Sequence, residues 1–524
     1  MNMKLQDATP PLSPSVNESG TVVEMLGKGE PFRTALIAPG GLAITYGSLR
    51  DQVDSLARRL NSMGIGRGDR VAIVLANGLE PVVAFLAVTA SGAAAVPLNP
   101  GYKTEEFRFC LEDTNAKAII LSTQGNEEIT AAIPDSMITI GVSFNDEGRL
   151  CATFNDETGG DQRLGPRLGE SPSPDDVVLV LHTSGTTSRP KRVPLSHRNL
   201  VVSARNVAET YQLSSADVSL CVMPLFHIHG IVASTLATLL SGGTVVVTSG
   251  LNALDFWSVV AEHQVTWYSA VPAIHQVLLN REKNKINGDA AGIARRNLRF
   301  IRSCSAPFPP ETIVEMEEMF GVPVLEAYGM TEAAHQVASN PLSGGKRVLG
   351  SVGRGTGVSI AIMDQYGNLE ASGVTGEVVI KGPNVTEGYE DNAEANSKCM
   401  TNGWFRTGDE GVIDSEGYLT LVGRLKEIII RSGEKISPRE IDETLLTHPS
   451  VAEAVAFGAP HPTYGEVPSA AVVLRAPAKP ADLIAHCRAH LASFKCPKVI
   501  HIVDEIPHTA TGKVQRRVVS AAFA

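Results

Sequence analysis

The 524-residue chain lacks the features that mark several large classes of protein. Its seven cysteines are scattered and never form a Cys-x-x-Cys pair, which argues against a disulfide framework and a zinc site. No strongly basic segment offsets the formal net charge of -11, which argues against a nucleic-acid partner. No run reaches the roughly 18 apolar residues of a membrane helix. The remaining composition, 43% hydrophobic and 19% charged, is typical of a globular protein with more than one domain.

Targeting signals are also absent from the two ends of the sequence. The first 20 residues are polar and rich in proline and serine, without the apolar stretch of a signal peptide, and a disordered tail is predicted there. The final Ala-Ala-Phe-Ala does not match a Ser-Lys-Leu peroxisomal address. Together with the unpaired cysteines, these features predict a cytosolic protein, expected to be a monomer or a weak oligomer.

Apolar segments alternate between helical and strand-like patterns along most of the chain. From about Leu49 to Leu121, and again from Val177 to Leu298, helical stretches separate short β-branched runs. This alternation predicts layered α/β subdomains with parallel strands. From about Ser351, short runs between Asp-Gly and Glu-Gly turns predict a β-subdomain. The predicted division is a large α/β domain over 21–424 and a small α+β domain near the C-terminus.

A hydroxyl-rich segment follows the apolar run Val177 to Leu181. It reads His-Thr-Ser-Gly-Thr-Thr-Ser-Arg-Pro-Lys over 182–191. Hydroxyl and backbone N–H groups donate to phosphate oxygens, a glycine lets the backbone approach, and cations offset charge. The spacing is not that of a Walker loop, and an ordinary solvated loop is the alternative. The pattern favours a polyphosphate-binding loop made by Thr183, Ser184, Gly185, Thr186, Thr187, Ser188, Arg189, Pro190 and Lys191.

Four further motifs place glycines beside groups that contact nucleotides. The segment 326–332, Glu-Ala-Tyr-Gly-Met-Thr-Glu, offers an aromatic face for adenine, a hydroxyl for phosphate and an oxygen ligand of the kind that Mg²⁺ prefers. Asp409 offers a carboxylate for two ribose hydroxyls. Segment 423–436 places cations around two glycines, and segment 507–513 ends with a lysine after a glycine. Each motif alone also fits a strand end, a turn or a surface lysine.

In this order and spacing, the five motifs resemble those of the adenylate-forming superfamily of acyl-CoA synthetases, luciferases and peptide-synthetase adenylation domains. The resemblance covers the chain after about residue 20. It implies an enzyme that uses ATP and Mg²⁺ to convert a carboxylic acid into an acyl-adenylate, and then passes the acyl group to coenzyme A. It also implies that the C-terminal domain, 428–524, is a mobile lid on a hinge at 425–427.

The resemblance implies a role for each matching residue. The loop 183–191 would hold the β- and γ-phosphates of ATP, and Thr187 and Glu332 would bind Mg²⁺. Tyr328 would stack on adenine beside Ala327, Thr331 would touch the α-phosphate, and Asp409 and Arg424 would hold the ribose. Lys426 would lie at the hinge, Lys513 would reach the reacting carboxylate, and the Gly433 face would line the pantetheine tunnel in a second pose of the lid.

One position departs from the superfamily pattern. The loop usually continues Pro-Lys-Gly, whereas this chain has Pro190, Lys191 and Arg192. An arginine adopts the positive-φ conformations open to glycine only at a cost. Either the backbone freedom of glycine is not needed here, or the loop is impaired.

The resemblance also places the acid pocket near 224–230, near 302–307 and after Glu332. A fatty-acid pocket would be apolar there, but buried polar groups need partners, and the second carboxylate of a small acid provides one. Short strings such as Asn340-Pro-Leu and Arg424-Leu-Lys-Glu further resemble the plant and fungal oxalate–CoA ligases, which carry out the first step of oxalate breakdown. On this interpretation Ser305, His335 and His227 hold the distal carboxylate, with His227 also closing the site. The full predicted set is His227, His229, Arg302, Ser305 and His335.

Several alternatives share the motifs. A medium-chain fatty acid or 4-coumarate–CoA ligase would need an apolar or aromatic-accepting pocket. An adenylation module that loads a carrier protein would use the same first step, as would an oxygenase of the luciferase type. A non-catalytic nucleotide-binding homologue is supported only by Arg192.

Overall fold

The structure is a computed structural model that describes residues 20–155, 172–183, 190–284, 289–432, 434–510 and 512–523. The chain divides into two compact units. The first comprises residues 1–347, 353–359 and 381–400, and the second comprises 348–352, 360–380 and 401–524. Most of the β-subdomain predicted from the sequence therefore groups with the C-terminal residues. The predicted hinge at 425–427 stays a prediction, and the predicted disordered tail lies almost wholly outside the described residues.

Two largely parallel sheets form the framework of the first unit. One has seven strands, which in spatial order are Leu150–Phe154, Ile138–Phe144, Ala118–Ser122, Arg70–Val74, Ala94–Pro97, Val177–Thr183 and Lys191–Ser196. The other has nine, which are Arg354–Gly355, His335–Ser339, Val324–Met330, Phe300–Ser303, Trp267–Ala270, Val218–Cys221, Thr244–Val247, Thr34–Ile37 and Ala43–Thr45. The inner pairs of both sheets are parallel and the pairs at their edges are antiparallel.

Helices of the first unit pack on these sheets. Tyr46–Ser62 begins at Thr45, whose hydroxyl accepts a hydrogen bond from Ser48 N at 3.2 Å, and Leu79–Ala90 is buried because it is apolar on all sides. The further α-helices are Val22–Met25, Thr104–Asp113, Glu127–Thr130, His197–Thr210, Ala237–Leu240, Phe256–Glu262, Pro272–Lys283, Ala290–Asn297, Pro310–Phe320 and Ala393–Cys399. Short 3₁₀ turns span Leu26–Lys28 and Thr331–Ala333, and a π-helix spans His229–Leu236.

The second unit contains two smaller sheets. The strands Ser359–Met363, Thr375–Lys381, Trp404–Ile413, Leu419–Arg424 and Met400–Thr401 form the first. Glu434–Ile436, Ile429–Arg431, Gly465–Leu474, Val451–His461 and Val499–Ile502 form the second, with helices Pro438–Leu446, Pro480–His490 and Arg516–Phe523. The predicted α/β class, with a β-subdomain and an α+β C-terminal region, is confirmed. Among the described residues, no helix has the length and apolarity to cross a membrane.

The topology of the nine-stranded sheet brings distant segments together. Strands Val218–Cys221, Trp267–Ala270, Phe300–Ser303 and Val324–Met330 run parallel as neighbours. The carboxyl ends of parallel strands meet at one edge, which is where α/β proteins bind their ligands. The three segments predicted to line the acid pocket follow three of these four strand ends.

Candidate active site

The predicted phosphate loop connects two antiparallel strands at the edge of the seven-stranded sheet. Thr183 ends one strand, Lys191 begins the next, and the two residues face each other in register. The sequence pattern therefore located the base of the loop correctly. The central residues of the predicted loop, Ser184, Gly185, Thr186, Thr187, Ser188 and Arg189, lie outside the described residues, so the predicted role of Thr187 at Mg²⁺ stays a prediction, and Pro190 is exposed.

A buried tyrosine links Lys191, the last residue of the predicted loop, to the predicted magnesium ligand. The Lys191 ammonium lies 4.2 Å from the centroid of the Tyr389 ring. Tyr389 Oη donates a hydrogen bond to Glu332 Oε1 at 2.9 Å, and Glu332 is only 8% exposed. The phenol therefore orients the carboxylate. Sequence reasoning missed Tyr389, because it lies more than fifty residues from either partner and no local pattern marks it.

The carboxylate of Glu332 fits a Mg²⁺ ion that is shared with a nucleotide. Among the described residues, no group of three or more His, Cys, Asp or Glu side chains converges on a metal position. Mg²⁺ is commonly held by one or two carboxylates together with substrate phosphates, and a single buried glutamate beside a lysine matches that arrangement. Glu332 is accordingly the described residue that would hold the ion.

Arg192 takes part in an ion-pair network next to Lys191. It lies on a strand, opposite His182, and has no positive φ, so the glycine expected here is not needed for its backbone freedom. Its Nε donates to Glu390 Oε2 at 3.0 Å, its Nη1 lies 3.1 Å from Asp113 Oδ1, and its Nη2 pairs with Asp391. We call Lys191, Arg192, Glu332, Tyr389 and Glu390 the nucleotide edge.

The electrostatics of this network favour the charged form of Asp113. Burial acts to raise the pKa of Asp113, but the hydrogen bond from His182 and the charge of Arg192 hold it below its ordinary value. Burial lowers the pKa of His182, whose Nε2 lies 3.1 Å from Asp113 Oδ2. The stable arrangement at neutral pH is a neutral histidine, an ionised aspartate and the Arg192 cation.

The predicted adenine segment forms a tight hairpin with the predicted acid-binding segment. Ala327 and Tyr328 are buried on strand Val324–Met330, which pairs antiparallel with His335–Ser339, and Thr331 begins the turn between them. A Cβ atom at Gly329 would lie 2.0 Å from the His335 carbonyl oxygen, so only glycine fits there. His335 itself has a φ of 106°, a strained value for a residue with a side chain.

Three predicted acid-binding side chains converge at the edge of the nine-stranded sheet. His229 Nδ1 lies 3.2 Å from Ser305 Oγ, and the rings of His229 and His335 are 4.9 Å apart between centroids. Ser305 has a φ of 76°, and such strained residues cluster at functional sites. We call His229, Arg302, Ser305 and His335 the acid pocket. All four residues belong to the set predicted from the sequence, and their role in holding the acid stays a prediction.

The segment that carries His227 and His229 has an unusual backbone. His229 begins the π-helix His229–Leu236, a form that occurs frequently at functional sites. A Cβ at Gly230 would lie 2.3 Å from the Pro224 carbonyl oxygen, so this turn also requires glycine. His227 is partly exposed, and its Nδ1 accepts a hydrogen bond from His229 N at 3.2 Å. A partly exposed ring at this place is compatible with the predicted closing role.

Arg302 is fully buried, and its hydrogen bonds end on protein atoms. It donates to Tyr211 Oη at 2.8 Å, Ser269 Oγ at 2.9 Å, Gln336 Oε1 at 3.0 Å and His335 Nδ1 at 3.5 Å. The direct contact with the acid that the sequence predicted for Arg302 stays a prediction, and the structure adds these protein partners to it. Tyr211, Ser269 and Gln336 were missed, since each is an unremarkable polar residue in its own segment.

The second unit brings together the predicted ribose ligands. Asp409 and Arg424 are register partners on antiparallel strands, with Arg424 Nε 2.9 Å from Asp409 Oδ1. The arginine side chain is 57% exposed and the aspartate side chain 6%. Asp409 N donates to Thr407 Oγ1 at 3.1 Å, which fixes the turn in front of it. The buried carboxylate of Asp409 and the exposed guanidinium of Arg424 therefore lie side by side.

The remaining predicted residues of the second unit lie in turns. Lys426 is exposed in the turn that follows Arg424, where Glu427 N donates to Arg424 O at 2.9 Å. Lys513 follows Gly512, which has a φ of 78° and donates to Thr509 O at 2.8 Å. Gly433 lies outside the described residues. The hinge, tunnel and catalytic roles of Lys426, Gly433 and Lys513 stay predictions.

Comparison with known proteins fits this arrangement. A family model described as AMP-binding enzyme matches residues 24–390. The chain belongs to the AMP-binding enzyme family. A second model, the AMP-binding enzyme C-terminal domain, matches residues 440–513 of this family member. The resemblance to adenylate-forming enzymes that the motifs predicted is thereby confirmed.

Individual relatives of this AMP-binding enzyme match along nearly the full chain. The chain is 44% identical over 511 residues to "Probable CoA ligase CCL9" of Humulus lupulus, which covers 94% of each protein. It is 42% identical over 520 residues to "Oxalate--CoA ligase" of Arabidopsis thaliana, which covers 96% of this chain and 98% of the relative. The crystal structure of ATP-bound MatB from Rhodopseudomonas palustris superposes with a TM-score of 0.85 at 29% identity, over 97% of this chain and 99% of that one.

Proposed function

We propose that this AMP-binding enzyme is an acid–thiol ligase that joins oxalate to coenzyme A through an acyl-adenylate. The acid pocket carries the proposal, because two histidines and a serine converge where a ligase for fatty or aromatic acids would need apolar side chains. The 42% identity to the oxalate–CoA ligase of Arabidopsis thaliana supports the same substrate.

The proposed reaction has two steps that use the same carboxylate. An oxygen of oxalate attacks the α-phosphorus of ATP, diphosphate leaves, and oxalyl-AMP forms. The thiol of coenzyme A, as it loses its proton, attacks the oxalyl carbon, and AMP leaves with the electrons of the broken C–O bond. The products are oxalyl-CoA, AMP and diphosphate, as in the first step of oxalate breakdown. Activation is needed because the oxide of a free carboxylate is a poor leaving group.

The first step joins two anions, so the protein must supply positive charge. When bound, Mg²⁺ supplies charge at the phosphates, and Glu332, oriented by Tyr389, holds it. Lys191 adds a cation that is fixed over the Tyr389 ring. Within this proposal Thr331 contacts the α-phosphate, Tyr328 contacts adenine, Asp409 and Arg424 hold the ribose, and Lys513 serves adenylation.

A long apolar or aromatic acid fits the acid pocket less well. Such a substrate would place hydrocarbon against the polar side chains of His335 and Ser305, in place of an acceptor for their N–H and O–H groups. A small second carboxylate accepts hydrogen bonds from these groups. The proposal also includes a cytosolic location and a monomeric or weakly oligomeric state. Both rest on the sequence alone.

The test is AMP release by the purified protein with ATP, Mg²⁺ and coenzyme A. The acids compared are oxalate, malonate, acetate, octanoate and 4-coumarate. Strong turnover with oxalate and weak turnover with the others is the expected result. Turnover with octanoate or 4-coumarate in its place would retain the adenylation chemistry but overturn the assignment of the pocket. No turnover with any acid, in the wild type and in Arg192→Gly, would overturn the proposed function.

A further inference from the structure

The buried guanidinium of Arg302 is linked to both histidines of the acid pocket, to His335 directly and to His229 through Ser269. Arg302 donates to Ser269 and to His335, while Tyr211 and Gln336 hold its remaining edge. The thiol of Cys304 also faces it. None of these partners, in the part of the chain that the structure describes, is a carboxylate. Burial raises the pKa of Tyr211, so the neutral phenol does not act as a counter-anion.

The hydrogen bonds that start at Arg302 have only one direction. A guanidinium stays protonated and can only donate, so Ser269 Oγ accepts from it at 2.9 Å. Among the described residues Ser269 Oγ contacts only Arg302 and His229, so the acceptor for its single hydroxyl proton is His229 Nε2, which lies 2.7 Å away. His229 therefore carries its proton on Nδ1, which faces Ser305 Oγ at 3.2 Å. Ser305 accepts this bond, so its own hydroxyl proton remains available to donate to the acid.

A doubly protonated His229 is disfavoured in this position. Its Nε2–H would turn the Ser269 hydroxyl proton away from its one acceptor, and a second cation would be buried near an arginine that lacks a carboxylate partner among the described residues. The neutral Nδ1–H tautomer satisfies the same contacts with one buried charge. The chain of bonds from Arg302 therefore fixes both the charge and the tautomer of His229.

Arg302 also sets the tautomer of the second histidine, His335. Arg302 Nη2 lies 3.5 Å from His335 Nδ1, a long hydrogen bond in which the nitrogen can only accept. The proton of a neutral His335 is then on Nε2. Its ring lies beside that of His229, 4.9 Å away between centroids. Two routes from one cation thus leave each histidine with a defined donor nitrogen.

We propose that Arg302 is a specificity-determining positioning residue that makes the acid pocket a donor-only site. Arg302 does this without touching the acid, by setting the tautomers of His229 and His335. A donor-only pocket next to a buried cation selects acids whose far end is a carboxylate, because a carboxylate only accepts. An amide or alcohol at that end presents its own donors. This inference rests on the proposed function and names the chemical feature that the pocket recognises.

The experiment compares oxalate with oxamate, in which an amide replaces one carboxylate and the reacting carboxylate is kept. Ser269→Ala removes the link between Arg302 and His229 but leaves the guanidinium and both imidazoles in place. We expect the preference for oxalate over oxamate, measured as the ratio of kcat/KM values, to fall about tenfold in this variant. The KM for ATP should not change, whereas a general structural defect would change it as well.

A second pair of variants tests the direction of the bonds. The amide nitrogen of His229→Asn lies near the place of Nδ1 and can still donate to Ser305, whereas the amide of His229→Gln lies near the place of Nε2. We expect His229→Asn to retain more of the oxalate preference than His229→Gln. Arg302→Lys, if it folds, should restore part of the preference that Arg302→Met loses.

The outcomes separate this inference from the proposed function. If the wild type does not turn over oxalate, the proposed function itself is wrong. If the wild type prefers oxalate and Ser269→Ala keeps the full ratio, or His229→Gln equals His229→Asn, the role of Arg302 is overturned while the function stands. A lowered ratio in Ser269→Ala with unchanged ATP kinetics, together with better retention in His229→Asn, supports it.

Discussion

The nucleotide edge and the acid pocket are both rich in polar side chains, but they balance charge in opposite ways. At the nucleotide edge, Arg192 meets the carboxylates of Asp113 and Glu390, and Lys191 lies over a tyrosine that bonds to Glu332. In the acid pocket, Arg302 meets only uncharged partners among the described residues. The charges of the nucleotide edge nearly cancel within the protein. The acid pocket keeps one positive charge, which a bound anion can neutralise.

This difference indicates what each region does. Ion pairs fasten segments in a fixed arrangement, which suits a surface that must present Glu332 in one orientation. An uncompensated buried cation is costly in the empty protein, and a bound anion relieves that cost. The comparison therefore predicts that substitutions at the nucleotide edge change the rate of adenylation or stability, while substitutions in the acid pocket change the choice of acid.

The largest effect is expected for Glu332→Gln. The amide keeps the size and a hydrogen-bond acceptor for Tyr389 but removes the negative charge that, in the proposed function, would hold Mg²⁺. We expect kcat with oxalate to fall by roughly 10² to 10³, as for loss of a major electrostatic contact in other enzymes. ATP–diphosphate exchange at several Mg²⁺ concentrations measures this. An undiminished rate at ordinary Mg²⁺ would show that the ion is held elsewhere.

A smaller effect on a different parameter is expected for Ser305→Ala. The variant removes the last donor of the chain that begins at Arg302, so kcat/KM for oxalate should fall about tenfold while the KM for ATP stays constant. Ser303→Ala is the matched control, because the buried Ser303 Oγ has no hydrogen-bond partner in the described structure. Equal losses in both variants would contradict a specific role for Ser305.

Arg192→Met should lower stability more than activity. The change leaves Asp113 without the arginine and Glu390 with Arg70 alone, and we expect a loss of about 1–3 kcal/mol in the free energy of unfolding. Arg198→Met, which breaks a more exposed pair with Asp175, should lower the free energy of unfolding by less than Arg192→Met does. Chemical denaturation measures both. Similar losses would show that the Arg192 network is no stronger than a surface pair.

The Arg192 effect should also depend on pH with a defined sign. The pKa of Asp113 is lowered in the folded protein, so its pairing stabilises the fold above the ordinary aspartate range and this contribution is lost as the pH falls through the lowered value. The gap in stability between the wild type and Arg192→Met should therefore narrow in acid. A gap that widens as the pH is lowered would assign the stabilisation to another group.

The smallest effect is expected for Tyr389→Phe. The ring under Lys191 remains, and only the 2.9 Å hydrogen bond to Glu332 is lost. We expect kcat to fall by about two- to tenfold, with a higher Mg²⁺ concentration needed for half-maximal rate, because the lost bond only orients the Glu332 carboxylate, which keeps its charge. Mg²⁺ titration of the exchange rate is the measurement. An unchanged titration curve would show that Tyr389 only supports Lys191.

The sequence predicted those parts of the site that belong to recognisable motifs. The hydroxyl-rich loop, the pairing of Asp409 with Arg424 and the convergence of His229, Ser305 and His335 follow from motifs whose residues are close in the chain or whose spacing is shared by a superfamily. The α/β alternation likewise follows from hydrophobic periodicity, which reports which face of an element is buried.

The supporting contacts could not be predicted in the same way. Tyr389, Tyr211, Ser269 and Asp113 act through partners that lie far away in the sequence, and periodicity does not report hydrogen-bond partners. Arg302 illustrates the limit, because its place in a pocket segment was predicted from the sequence but its hydrogen bonds to Tyr211 and Ser269 were not. Arg192 also required the structure, since only the backbone angle and the ion pairs reveal why an arginine fits there.

The tight hairpin from 324 to 339 has a consequence for how this enzyme can acquire new substrates. Tyr328 and His335 lie on its two strands, and the backbone contact between Gly329 and His335 O leaves no room for adjustment. A change of His335 that shifts its backbone would therefore also disturb the adenine side. Ser269 and Ser305 lie outside this hairpin. In laboratory evolution toward other acids, substitutions at these two serines should therefore disturb the Tyr328 side less than substitutions in the hairpin do.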